Sequence, residues 1–333
     1  MNKTQEDKRD AGVKAILAAM LANIGIAALK FVAWALTGAA SMLAEAVHSV
    51  ADSANQIIML WGDKSAKKKA DEAHQFGHGR NRFITAFLVA LILFSMGGLF
   101  AIYEAFNKFK ELQAGHPNDL LSSQWWWVAI VVLLGAIIME SLSLRVALRE
   151  SKPHRQGMKI WQFVHRSKEP EFMVVILEDT AALTGLTLAF LGIVLTLLTG
   201  NAIFDVIGSG LIGLLLITVA VILAVETKSL LVGESADKET MEKIKAALSS
   251  VALFEHTIYI KTIYISPDEL FIAAKVAVPK DAEADEIAAA IDSAEAKIRD
   301  SVEVAHPIYI EPDIWDPDRM TGARQKGDGS FLS

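Results

Sequence analysis

The sequence predicts an α-helical membrane protein with six transmembrane helices and a C-terminal cytosolic α+β domain of ferredoxin-like type. Three observations carry this. The apolar residues are clumped into long runs, the lysines and arginines sit on one side of those runs, and a β-rich segment follows the last of them. The chain has 333 residues, 53% hydrophobic and only 21% charged. Ala15 to Leu36 holds one lysine, Phe83 to Tyr103 no charge, and Ile203 to Val225 only Asp205. About 20 apolar residues cross a bilayer as a helix. The pattern excludes a soluble enzyme, a disordered chain and a nucleic-acid binder.

The spans are expected near 11–37, 41–63, 83–107, 123–148, 171–199 and 203–226. The apolar run behind the mixed-charge start Met1 to Asp10 is too long for a signal-peptide core, so it reads as a retained first span. Spans 1 and 2 meet at Thr37-Gly38-Ala39-Ala40, and spans 5 and 6 at Thr199-Gly200-Asn201. Trp125, Trp126 and Trp127 open span 4 where indoles favour the bilayer interface. Six Lys and Arg lie between Lys64 and Arg82, and seven between Arg145 and Lys168; the opposite side has Lys108 and Lys110. Positive loops stay inside, so both termini are expected in the cytoplasm. An N-terminus that is not acid-free favours a bacterial plasma membrane over an organelle.

The domains are expected as 1–226 (transmembrane), 227–315 (cytosolic) and 316–333 (disordered tail). The net charge is −7, and residues 227–333 hold 12 Lys and Arg against 20 Asp and Glu. The acidity therefore belongs to the cytosolic part, which offers no basic surface to nucleic acid. There, residues 236–250 and 281–302 read as helices. Thr257–Ile265, Leu270–Val278 and Val304–Ile310 read as strands, with a hairpin at Ser266-Pro267-Asp268-Glu269.

Ionisable residues inside a span are costly and are read as functional by default. Span 2 carries Glu45, His48 and Asp52 on one helical face, and Asn55 continues the stripe. Span 5 carries Glu178 and Asp179. No intramembrane Arg or Lys stands nearby in sequence. His48, Asp52 and Asp179 together make one imidazole and two carboxylates, a set that suits Zn²⁺. With no cysteine in the chain, thiolate sites are excluded.

The stretch Ala44-Glu45-Ala46-Val47-His48-Ser49-Val50-Ala51-Asp52-Ser53-Ala54-Asn55-Gln56, the loop His74-Gln75-Phe76-Gly77-His78-Gly79-Arg80 and Glu178-Asp179-Thr180-Ala181 resemble the cation diffusion facilitator family of zinc and manganese exporters. The wording is nearest its zinc transporter nine branch. The resemblance implies a transporter rather than an enzyme, with no cofactor. It implies export of Zn²⁺ from the cytosol in exchange for protons, and a homodimer joined through a metallochaperone-like cytosolic domain. Mn²⁺, Fe²⁺ or Co²⁺ as cargo, and a non-transporting membrane-anchored metal sensor, are the alternatives.

The resemblance maps the transport site to His48, Asp52 and Asp179. Val175 stands where the family has a fourth ligand, which leaves water, Asn55 or Glu178 to complete the set. In an unbroken span 5, Asp179 is expected to face span 2 and Glu178 to point away. His48, Asp52, Asp179 and, secondarily, Glu45 are the candidate proton carriers. Asp71, His74 and His78 match a second, cytoplasm-facing site of the family. Gly77 and Gly79 permit the sharp turn it needs. Tyr309 replaces the family's final-strand histidine, leaving only His256 and His306 in the cytosolic domain, so a two-zinc cluster is not expected there.

Overall fold

The computed structural model describes residues 23–115, 119–155 and 157–316. The start of the expected first span and the end of the expected tail lie outside these residues. The chain divides into two compact units. One holds residues up to Ser65 and Asn81–Lys228; the other holds Ala66–Arg80 and the chain from Ser229 onward.

The first unit is helical. Its elements are α1 (Asn23–Thr37 as described), α2 (Ala40–Ala66), α3 (Asn81–Gln113), a short α4 (Asp119–Ser122), α5 (Trp126–Glu150), α6 (Ile160–Arg166), α7 (Pro170–Thr199) and α8 (Ile203–Val232). Among the described residues, α3, α5, α7 and α8 are long and apolar enough to cross a membrane. α2 has 27 residues, but its polar stripe lowers its hydropathy below theirs. Pro170 opens α7 at a position where its missing N–H costs nothing.

The links between helices are made by residues suited to them. Gly38 takes φ 63° and donates its N–H to the Trp34 carbonyl at 2.7 Å, closing α1. Gly200 does the same for α7 with φ 68° and Thr196. The next helix start is unusual. Asp205, in the first turn of α8, accepts the N–H groups of Ala40 at 2.7 Å and Ser41 at 3.3 Å, and also the Ser41 hydroxyl. It therefore caps α2 from a helix 165 residues away. Its own N–H donates to Thr196 Oγ1 at 3.0 Å, which ties α7 into the same joint.

α8 packs backbone-close on two neighbours. Gly208 meets Gly192 of α7, and Gly213 meets Gly98 of α3. Small residues let helices approach where van der Waals packing, not the hydrophobic effect, holds them together. Gly97 and Gly98 lie in a π-helical segment of α3, Leu93–Leu99. Such segments shift the helix face by a residue and concentrate at functional sites. Here Gly97 lies opposite His48: a Cβ on it would stand 3.9 Å from His48 Nδ1.

The second unit is a three-stranded sheet with two helices. α9 (Lys238–Ser249) is capped by Asp237, whose carboxylate accepts the Thr240 N–H at 2.7 Å. β1 (His256–Ser266) pairs antiparallel with β2 (Glu269–Ala277), and β2 pairs parallel with β3 (Ala305–Asp313) after the crossover helix α10 (Ala284–Ser301). Sheet order is β1-β2-β3. Ile244, Leu248, Leu270, Ile272, Val276 and Ile298 form the core between the sheet and both helices. The α-β-β-α-β order follows the sequence expectation. β3 runs three residues further than expected because Lys275 of β2 holds Glu311 at 3.0 Å and Asp313 at 2.9 Å.

The close approach of α3 and α8 can be tested. A Cβ at Gly213 would lie 2.9 Å from the Gly98 carbonyl oxygen. Gly213→Val is expected to destabilise the protein by about 1–3 kcal/mol through overpacking, seen as a lower thermal midpoint in detergent. An unchanged midpoint would mean the two helices part without loss.

Candidate metal site

α2 places a column of polar groups inside the helical unit. Glu45, His48 and Asn55 are fully or almost fully buried, and Asp52 is 14% exposed. His48 Nδ1 lies 3.4 Å from Asp52 Oδ1, without the alignment of a hydrogen bond. Asn55 Nδ2 donates to Glu178 Oε1 of α7 at 3.1 Å, and the Asp52 carboxyl lies against the Glu178 carboxyl. Glu45 Oε1, both ring nitrogens of His48, Asp52 Oδ1 and Asn55 Oδ1 are buried with no hydrogen-bond partner. Orphaned buried polar atoms are rare and each costs about 1–3 kcal/mol. Here they share one helical stripe and are chiefly oxygen and imidazole nitrogen, the donor types that hold a borderline divalent cation.

The structure corrects the expected geometry of α7. Glu178, not Asp179, meets α2. Asp179 instead accepts a hydrogen bond from Ser143 Oγ of α5 at 3.0 Å. The reason lies in the face of α7 that packs inward. Gly185, seven residues after Glu178 and on its stripe, sits against Glu45: a Cβ there would be 2.6 Å from Glu45 Oε1. Val175, four residues before Asp179, is 37% exposed. Val175 and Asp179 thus share a stripe turned away from α2.

A second correction concerns cations. Lys30 of α1 is 1% exposed, and its ammonium donates to Glu45 Oε2 at 3.0 Å and to Ser49 Oγ at 2.7 Å. A buried lysine therefore does accompany the acids, and Glu45 is its ion-pair partner. Glu140 of α5, within electrostatic reach of Asp179, Glu45 and Lys30, was also missed. Both were visible as lone charges in apolar runs, but no local spacing linked them to α2.

The loop triad lies in the second unit, and its three residues are together. Asp71 Oδ1 accepts the backbone N–H groups of Ala73 at 3.0 Å and His74 at 2.7 Å. Gly77, at φ 75°, donates to the His74 carbonyl and turns the chain back. This leaves His74 Nδ1 3.2 Å and His78 Nε2 3.1 Å from the two Asp71 oxygens, with one ligand atom from each residue within 4.8 Å of the others. The turn rests on the sheet: Phe76 stands edge-on to Phe271 at 5.8 Å, and Gly79 leaves no room for a Cβ beside Ser266. Tyr309 packs on Phe271 at 5.6 Å.

The hydrogen bond from the His74 backbone, then that from the His78 ring, hold the Asp71 carboxyl down at about 2. A lowered carboxylate stabilises above its ordinary value, near 3.8, and loses that contribution as pH falls through about 2. Carboxyl-labelled aspartate followed by NMR should show Asp71 titrating near pH 2; a midpoint near 4 would mean the turn does not hold.

The family of the cation efflux transmembrane domain matches residues 16–232. Metal tolerance protein C4 of Arabidopsis thaliana is 30% identical over 265 residues, 79% of this chain and 56% of that protein. The mitochondrial proton-coupled zinc antiporter SLC30A9 of Homo sapiens is 30% identical over 239 residues, 71% of this chain and 41% of that protein. The chain thus spans little more than half the length of the first and less of the second. An uncharacterised transporter of Methanocaldococcus jannaschii is 25% identical over 303 residues, 91% of this chain and 98% of that protein. Two of these three relatives are named as transporters. With the match covering more than half of its residues, the chain belongs to the cation efflux, or cation diffusion facilitator, family.

Proposed function

We propose that the protein is a secondary transporter that moves a divalent cation, Zn²⁺ first among them, across the membrane in exchange for protons. His48, Asp52 and Glu178 bind the ion and Asn55 Oδ1 completes the set. The observation that carries this is the contact of Asp52 with Glu178 beside the unpartnered His48 ring. Two carboxylates side by side repel unless a proton or a cation lies between them. The same place thus accepts a metal or protons, and not both. Metal requires neutral imidazole and ionised carboxylates, so its arrival expels protons and protonation from the other side releases it. The names of the antiporter relatives support this exchange.

In this reading α1 and α2 join α3, α5, α7 and α8 as six spans, and the lysine- and arginine-rich loops keep both termini in the cytoplasm. Export is the direction the family suggests. Asp71, His74 and His78 form a second cation site at the cytoplasmic surface, and the protein works as a homodimer. The cytosolic domain, with Tyr309 in place of histidine, joins the protomers without a two-zinc cluster.

The test is zinc flux into proteoliposomes loaded with zinc- and pH-sensitive dyes. Zn²⁺ movement without opposite proton movement would remove the exchange. The ligand set is tested by two isosteric changes. Glu178→Gln is expected to weaken Zn²⁺ binding by about tenfold or more, the loss of one charge-assisted contact of about 1.5–3 kcal/mol. Asp179→Asn should change it by less than about threefold. The reverse ranking in a zinc titration would return the site to Asp179.

A further inference from the structure

We propose that Lys30 is a built-in counter-cation that withholds Glu45 from the divalent ion's ligand set, and thereby sets how tightly the transport site holds its ion. The inference rests on the transport site of His48, Asp52 and Glu178 proposed above.

Glu45 is placed as a ligand would be. It lies one turn before His48 and two turns before Asp52 on the same stripe of α2. It is fully buried, and its Oε1 has no partner. Its Oε2 is held by the Lys30 ammonium, which also bonds Ser49. On the opposite side Gly185 of α7 leaves clearance for Oε1 that any side chain would remove. Glu45 is thus engaged by an ammonium on one oxygen and given room on the other.

Charge counting explains why this matters. Asp52 and Glu178 bring two negative charges, which match a divalent ion. A third free carboxylate on the same stripe would overbalance the site, and a transporter that binds too tightly cannot release. Lys30 cancels Glu45 in place. A buried ion pair contributes little net stability compared with apolar packing, so its retention inside a helix bundle calls for another role. Lys30 also lies within electrostatic reach of His48, Asp52 and Glu140, so its charge bears on the whole cluster.

The two halves of the pair make opposite predictions. Lys30→Met frees a carboxylate beside the ion, and Zn²⁺ should bind about tenfold more tightly while turnover in proteoliposomes falls. Glu45→Gln leaves an ammonium uncompensated, and Zn²⁺ should bind about tenfold more weakly. The double variant Lys30→Met/Glu45→Gln restores the charge sum and should return to within about threefold of the parent, as should Lys30→Arg. The titrations use the full chain in nanodiscs, in a His74→Ala/His78→Ala background so that intramembrane ions are counted. A strut that only held α1 to α2 would weaken binding in both single variants alike. Shifts in the same direction, no shift for Glu45→Gln, or a double variant that does not recover overturn the proposal; the last two can be read even if Lys30→Met alone fails to fold. Should the parent itself bind no Zn²⁺ saturably, the transport-site reading fails and this one with it. Binding by the parent with unshifted variants sinks only the role of Lys30.

Discussion

Charge inside a hydrocarbon slab must be matched where it stands, because no solvent will do it. The helical unit is organised around that demand. Lys30 and Glu45 match each other within the protein. Asp205 is matched by two backbone N–H groups and a hydroxyl at the head of α2. The cluster of His48, Asp52, Asn55 and Glu178 is matched only in part, and keeps unpartnered atoms in a buried place. The glycines of α7, α8 and the π-helical part of α3 allow the close packing that keeps these groups from water. The paired groups join helix to helix; the unpartnered atoms of the cluster are the ones to which the proposed function gives an ion.

The sequence announced this cluster through α2. A two-turn stripe of Glu45, His48 and Asp52 in an apolar run has few readings, because helical period and the cost of burial both point inward. α7 was harder. Glu178 and Asp179 are neighbours, so a helix can face only one of them inward, and the family wording selected Asp179. What decides between them is packing at Gly185 and exposure at Val175, neither of which a single helix can reveal. Lys30 was hidden for a related reason. Its partner is 15 residues away on another helix, and no spacing rule joins the two.

The second unit was read more evenly, since strand alternation, a Pro-Asp turn and a crossover helix are local signals. The loop from Ala66 to Arg80 gave up its ligand types from sequence, but not its support. The turn is shaped by Asp71 accepting two backbone N–H groups and by Phe76 resting on Phe271, nearly 200 residues later in the chain. Aromatic contacts of that kind carry no sequence signature.

The Asp205 joint has a mechanical consequence. α2 is fastened at its first residues by three hydrogen bonds and again near its far end, where Asn81 Nδ2 donates to Ser65 Oγ at 2.9 Å. With a rise of 1.5 Å per residue, His48 stands about 12 Å from Ala40 and the far end of α2 about 39 Å away. With α2 held near both ends, the heights at which His48 and Asp52 stand are set by two joints rather than one.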